Sequence, residues 1–157
     1  GLNHNGDLEL AMETVVAAAG AGADAVKFQT ASPEELYNPS DPDIEECAGA
    51  ELDRTHYPRA MECAKENNLI FFSTPFDELS ADFLDDLGVP FFKIGSGELT
   101  HHGLLRHVAK KGKPVVVSTG MADLDSILAA ETLGDFFSGQ QIPFFGYQIS
   151  ETVAFGM

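Results

Sequence analysis

The sequence predicts an α/β chain of repeated strand–helix units, an incomplete or gapped portion of a (β/α)8 TIM barrel. Three observations carry this. Short apolar runs at residues 23–30, 69–75, 90–98 and 114–120 each close in hydroxyls, a lysine or both. Ser73, Ser96 and Ser118 are spaced by about one βα unit, an internal period of the kind a βα-repeat fold shows. The polar residues also gather at what would be strand C-terminal ends, the face where a barrel builds its site from its βα loops. An open doubly wound sheet uses the same edge at its switch point and is the alternative architecture; repeats without Rossmann glycines favour the barrel.

Residues 1–7 read as the last of a strand followed by a turn, with Asp7 as the N-cap of a helix whose stripe is Leu8, Leu10, Ala11, Val15, Ala18 and Ala19. Gly20 and Gly22 stop that helix, and the β-rich run from Ala25 to Phe28 follows at once. Residues 31–49 are rich in Ser, Pro, Glu and Asp, and Pro33, Pro39 and Pro42 argue for a loop. Helix signals resume near Glu51 and run to Asn67, where Asn67 and Asn68 break them before a strand at Phe71 and Phe72. Residues 77–87 form the next helix, stopped by Gly88 ahead of a strand at Phe91 and Phe92. Residues 100–110 form another, with Lys110, Lys111 and Lys113 near its C-terminal end, where cations are favoured. Asp123 to about Leu133 is the last clear helix.

Length conflicts with a whole barrel. Eight units need about 200 to 250 residues, whereas these 157 supply the end of one unit, four complete units and an irregular tail. Half a barrel leaves edge strands unpaired, so either residues are missing or a partner chain completes the sheet.

Composition narrows the function classes. The chain is 44% hydrophobic and 22% charged, as a globular protein should be. Its net charge of -16 argues against nucleic acid and anionic membranes, which are bound through basic patches. No run approaches the roughly 18 apolar residues that span a bilayer, and no signal pattern opens the chain, so a cytoplasmic location is expected. Cys47 and Cys63 fit neither a zinc motif nor a disulfide framework and are read as free thiols. An anionic substrate must then be held by a local concentration of the nine Lys and Arg.

Each strand-end residue has an ordinary structural explanation. Lys27 and Lys93 could be lysines snorkelling from strand ends. Ser73, Thr74, Ser96, Ser118 and Thr119 could cap the following helices, and Glu98 could support a helix dipole. His4 between two asparagines suits a turn, and His101 and His102 suit a solvated helix start. No spacing of His, Asp and Glu forms a metal set. Two lysines at equivalent strand ends, beside hydroxyls and helix N-termini, nevertheless make a pocket for a phosphate or carboxylate. The residues by themselves lead no further.

Asn3-His4-Asn5-Gly6, Gly22-Ala23-Asp24-Ala25-Val26-Lys27-Phe28-Gln29-Thr30, Glu51-Leu52-Asp53, Phe72-Ser73-Thr74-Pro75-Phe76-Asp77, Phe92-Lys93-Ile94-Gly95-Ser96-Gly97-Glu98 and Ser118-Thr119-Gly120-Met121 together resemble the N-acetylneuraminate (sialic acid) synthase family, in the same order and as far as about Leu133. The resemblance implies a TIM barrel, spanning residues 1–157 as a partial synthase domain, that condenses phosphoenolpyruvate with an N-acetylated aminosugar such as N-acetylmannosamine. It further implies that Lys27, Thr74, Lys93, Ser96 and Ser118 hold the phosphoenolpyruvate and that Gln29 helps place the sugar. Glu98 is the candidate for proton transfer or a sugar-hydroxyl contact. A divalent metal, Mn2+ or Mg2+, and a homodimer are implied as well.

The departures are equally specific. The family carries a glutamate just before Asn-His-Asn-Gly, and this sequence begins after that point. The acidic stretch between Thr30 and Glu51 is shorter than usual. Past Leu133 the family's metal-binding histidines and small antifreeze-like C-terminal domain find no match; Gly146-Tyr147 resembles the start of one later element and residues 149–156 the helix after it, as though a segment between were absent. Related legionaminate, spore-coat or 9-phosphorylated sialic acid synthases share most of these motifs, and pseudaminate synthases fit them less well. A Schiff-base aldolase using Lys93 is the mechanistic alternative, and an inactive fragment that binds an anion or a partner is the non-enzymatic one.

Overall fold

The computed structural model describes residues 2–138. The chain divides into two compact units, Gly1–Pro90 and Phe91–Met157. The family-like elements at 146–156 lie outside the described residues.

In the first unit a turn at residues 3–6 is closed by Asn5 N–H to the Leu2 carbonyl at 3.0 Å and Asp7 N–H to the His4 carbonyl at 2.8 Å. Asn5 at φ 48 and Gly6 at φ 75 give it its left-handed corner. No strand precedes this turn among the described residues. Asp7 then caps α1 (Leu8–Gly20), accepting from the Leu10 N–H at 2.9 Å. The chain continues through β1 (Ala25–Thr30), α4 (Tyr57–Glu66), β2 (Ile70–Pro75) and α5 (Glu78–Leu87). Gly88 at φ 83 closes α5 in the left-handed conformation that glycine adopts without steric cost.

Residues 31–49 are not the loop that their prolines suggest. They hold α2 (Pro33–Leu36) and α3 (Asp43–Ala50). Pro33 is the first residue of α2 and Pro42 the N-cap of α3. At a helix start the missing N–H has no intrahelical partner to lose, so these prolines initiate rather than break. The helix expected from Glu51 begins later. Asp53 takes the Thr55 N–H at 2.8 Å and starts a 3-10 turn, Arg54–His56, with α4 following directly and Pro58 in its first turn.

β1 and β2 pair in parallel, Lys27 opposite Phe72 and Gln29 opposite Thr74. Side chains alternate across the pair, which separates two faces. On one face the Phe28 and Phe71 rings lie 4.9 Å apart and the Thr30 and Ser73 hydroxyls 2.7 Å apart, with Tyr57 of α4 packed on both. Fully burying one such aromatic contributes roughly 1.5–3 kcal/mol, so this is the hydrophobic core. Lys27, Gln29, Phe72 and Thr74 share the other face by register.

The second unit repeats the plan: β3 (Phe92–Ile94), a 3-10 turn at Glu98–Thr100, α6 (His102–Ala109), β4 (Val115–Val117) and α7 (Leu124–Ser138). β3 and β4 are parallel, Lys93 opposite Val116, with Phe92, Ile94, Val115 and Val117 buried and Lys93 and Val116 half-buried. On α6, Leu104, Leu105, Val108 and Ala109 form the buried stripe. His101 and His102 are exposed at its start.

Candidate functional site

Lys27 and Lys93 occupy matching places in their units, each on the half-buried face one residue before a buried Phe28 or Ile94. The Lys27 ammonium donates to the Phe28 carbonyl at 3.3 Å, and that of Lys93 to the Ile94 carbonyl. Burial pulls the Lys27 pKa below its ordinary value, because desolvation penalises the charged form. A bound anion would favour the charged form and act against that shift.

In the first unit Lys27, Gln29 and Thr74 share one face of the strand pair by register, with Gln29 and Thr74 partners; Lys27 and Gln29 are half-buried and Thr74 is buried. Ser73 departs from the sequence-based expectation. Its hydroxyl sits 2.7 Å from Thr30 Oγ1 on the core face, so it neither caps a helix nor shares that face. In the second unit Ser96 lies in the bend after β3, Ser118 follows β4 with its N–H on the Ile94 carbonyl at 3.0 Å, and Glu98 opens the 3-10 turn. The Glu98 carboxylate folds back over Gly95, filling the space that a Cβ there would need. Glycine at 95 is therefore what lets Glu98 adopt this position.

The helix caps go to aspartates rather than to strand-end hydroxyls. Asp77 takes the Ser80 N–H at 2.7 Å and Asp123 the Ser126 N–H at 2.8 Å, as Asp7 does for α1. Among the described residues, Thr74, Ser96 and Ser118 serve as no such cap.

Several residues that support the strand ends were not singled out from sequence. Tyr57 reaches through the core to Thr30 Oγ1 at 2.8 Å and donates to the Gln29 carbonyl at 3.1 Å; burial pushes its phenol up to about 12. Beyond the end of β1, the consecutive N–H groups of Ala31 and Ser32 donate to Glu51 Oε1 at 2.9 Å and Asp77 Oδ2 at 2.6 Å. Burial raises the Glu51 carboxyl above its usual range. Gly6 presses on the same segment, since a Cβ on it would stand 2.7 Å from the Gly49 carbonyl oxygen. The only sequence signal for these supports was the Glu51-Leu52-Asp53 and Thr74-Pro75-Phe76-Asp77 wording of the motifs themselves.

His4 is a buried turn residue. It stacks on Phe28 with ring centroids 5.4 Å apart, accepts the Gly6 N–H on Nδ1 at 3.1 Å, and has its pKa lowered by burial. Among the described residues, no three His, Cys, Asp or Glu side chains are placed to hold a metal ion. The described residues thus offer no donor set for the divalent metal that the resemblance implies.

Comparison with known proteins places this geometry. The NeuB family profile matches residues 14–140. An uncharacterized protein of Methanocaldococcus jannaschii is 42% identical over 83% of this chain and 39% of its own length. The N,N'-diacetyllegionaminic acid synthase of Legionella pneumophila is 41% identical over 87% of this chain and 43% of its own. The chain thus spans well under half the length of these curated relatives. Among solved structures, N-acetylneuraminic acid synthetase from Leptospira borgpetersenii, in complex with citrate, superimposes with a TM-score of 0.82 at 33% identity, covering 87% of this chain and 48% of that one. The parallel βα units are accordingly a portion of a TIM-barrel-type fold, and the chain belongs to the NeuB family.

Proposed function

We propose that the full-length protein condenses phosphoenolpyruvate with the open-chain form of an N-acetylated aminosugar, giving a nonulosonate and phosphate. The observation that carries this reading is the matched pair Lys27 and Lys93, each on the half-buried face of a parallel strand pair. Phosphoenolpyruvate brings a phosphate and a carboxylate, and two ammonium groups with hydroxyls from Thr74, Ser96 and Ser118 neutralise and orient them. Gln29, register partner of Thr74, contacts the sugar. C3 of the enol forms the new bond to the aldehyde carbon, water adds at C2, and phosphate leaves with the bridging oxygen by C–O cleavage. Glu98 handles the proton at the sugar hydroxyl or the attacking water. No step is assigned to a metal, because the described residues do not supply its ligands.

The reading extends to a cytoplasmic homodimer. No helix among the described residues is long and apolar enough to cross a membrane. A related synthase acting on a different N-acetylated aminosugar is the second reading, supported by the legionaminic acid synthase among the relatives.

The test is phosphate release by the full-length protein from phosphoenolpyruvate labelled with 18O at the bridging position, with N-acetylmannosamine and added manganese. Label recovered in phosphate, together with a sugar acid product, is expected. Release without a carbon–carbon bond would overturn the proposal, as would borohydride trapping of a pyruvate adduct on Lys93, which belongs to a Schiff-base aldolase.

A further inference from the structure

The last backbone bond between β1 and β2 is Phe76 N–H to the Thr30 carbonyl at 3.1 Å. Beyond it the two chains diverge, one into α2 and the other into α5. At that point Asp77, only 5% exposed, takes over the pairing. Its Oδ2 accepts from Ser32 N–H at 2.6 Å and Ser80 Oγ at 2.7 Å; its Oδ1 accepts from Ser80 N–H at 2.7 Å and Ser32 Oγ at 3.1 Å. Arg54 braces the same hydroxyls, with Nη2 donating to Ser32 Oγ at 2.7 Å and Ser80 Oγ at 3.2 Å while its guanidinium lies 5.1 Å from the Phe83 ring centre.

From this we infer that Asp77, with Arg54 behind it, is a positioning residue: through Ser32 it holds the chain leaving β1, and so the place of Gln29 at the end of that strand. The inference rests on the function proposed above for Gln29. Capping of α5 uses only the Ser80 N–H. The two bonds to Ser32 do nothing for the helix and act on the chain leaving β1. A carboxylate is required because both oxygens face donors, two backbone N–H groups among them, and an amide would turn its NH2 towards one of these. A strand end held only by its terminal ladder bond frays readily, and small displacements of a positioning group cost rate and affinity heavily.

Asp77→Asn separates the two roles. Asparagine is as good an N-cap as aspartate, so the carbonyl oxygen keeps the Ser80 N–H and the NH2 replaces Oδ2 opposite the Ser32 N–H. In the full-length protein, KM for the aminosugar should rise about tenfold or more, while KM for phosphoenolpyruvate changes by less than about twofold. Amide exchange should accelerate at Phe76 and stay unchanged at Ala81 in the first turn of α5. Equal changes in both KM values, or no change in either, would reduce Asp77 to a cap. Should the wild-type protein prove inactive with these substrates, the proposed function fails on its own, and exchange alone decides the positioning role: unaltered protection at Phe76 overturns it. If Asp77→Asn does not fold, Asp77→Ser, whose hydroxyl can still cap α5 but offers no second oxygen to Ser32, is read in the same way, and wild-type behaviour in that variant overturns the inference.

Discussion

Lys27 and Lys93 make the same contact, each ammonium donating to the carbonyl of the next residue, Phe28 or Ile94. A lysine satisfied by its own strand is held in one place before any ligand arrives, and an anion need only replace or add to that acceptor.

The first prediction follows from this. Lys27→Ala and Lys93→Ala in the full-length protein should each raise KM for phosphoenolpyruvate, because a charge-assisted hydrogen bond contributes about 1.5–3 kcal/mol, roughly tenfold to a hundredfold in affinity. Steady-state phosphate release measures it. A variant with the wild-type value would show that its lysine touches neither the phosphate nor the carboxylate.

Tyr57→Phe tests the support beneath Gln29. The variant keeps the ring packed among Phe28, Phe71 and Phe83 and removes only the hydroxyl shared with Thr30 and the Gln29 carbonyl. A loss of about 1 kcal/mol in urea denaturation is expected. In an alkaline absorbance titration, the phenol near 12 should vanish with the substitution. A titration curve identical to wild type would mean that the phenol is not buried as described.

A third prediction concerns pH. Burial raises the Glu51 carboxyl above its ordinary 4.5, so the folded state holds the proton more tightly than the unfolded state does. The stability this gives is complete below 4.5 and is lost as pH rises through the folded value. Glu51→Gln keeps a carbonyl for the Ala31 N–H and carries no charge. Relative to this variant, the wild-type protein should therefore lose stability as pH climbs through that window and differ by a constant amount above it. Denaturation at a series of pH values provides the check; a wild-type protein that loses stability relative to the variant on acidification would reverse the sign and refute the argument.

Much of the fold is legible because local signals agree with the global plan. Asp7 and Gly88 announce helix ends that their side-chain and backbone geometry then makes, and the apolar runs that hold Lys27 and Lys93 become parallel strands, with both lysines inside the strands rather than at their ends. What stays hidden depends on partners distant in sequence. Nothing near Asp77 signals that it will meet Ser32, or that Arg54 will bridge Ser32 and Ser80. Ser73 and Thr74 are adjacent hydroxyls that look alike in sequence, and only the strand's alternation sends Ser73 into the core with Thr30. Pro33 and Pro42 mislead for a different reason, since a proline ends a helix or begins one according to the position it takes.

The helix that Pro42 begins buries none of its residues. Between Tyr37 and Cys47 the chain is thus bound to the rest of its unit by little apolar contact, while the grip on β1 is exerted on either side of it, at Ser32 and Glu51. Chain entropy makes added length in such a span inexpensive, each doubling costing only about 0.6 kcal/mol. Natural variation in size, an epitope tag or a fluorescent label can therefore be accommodated there, with the C-terminal end of β1 left undisturbed.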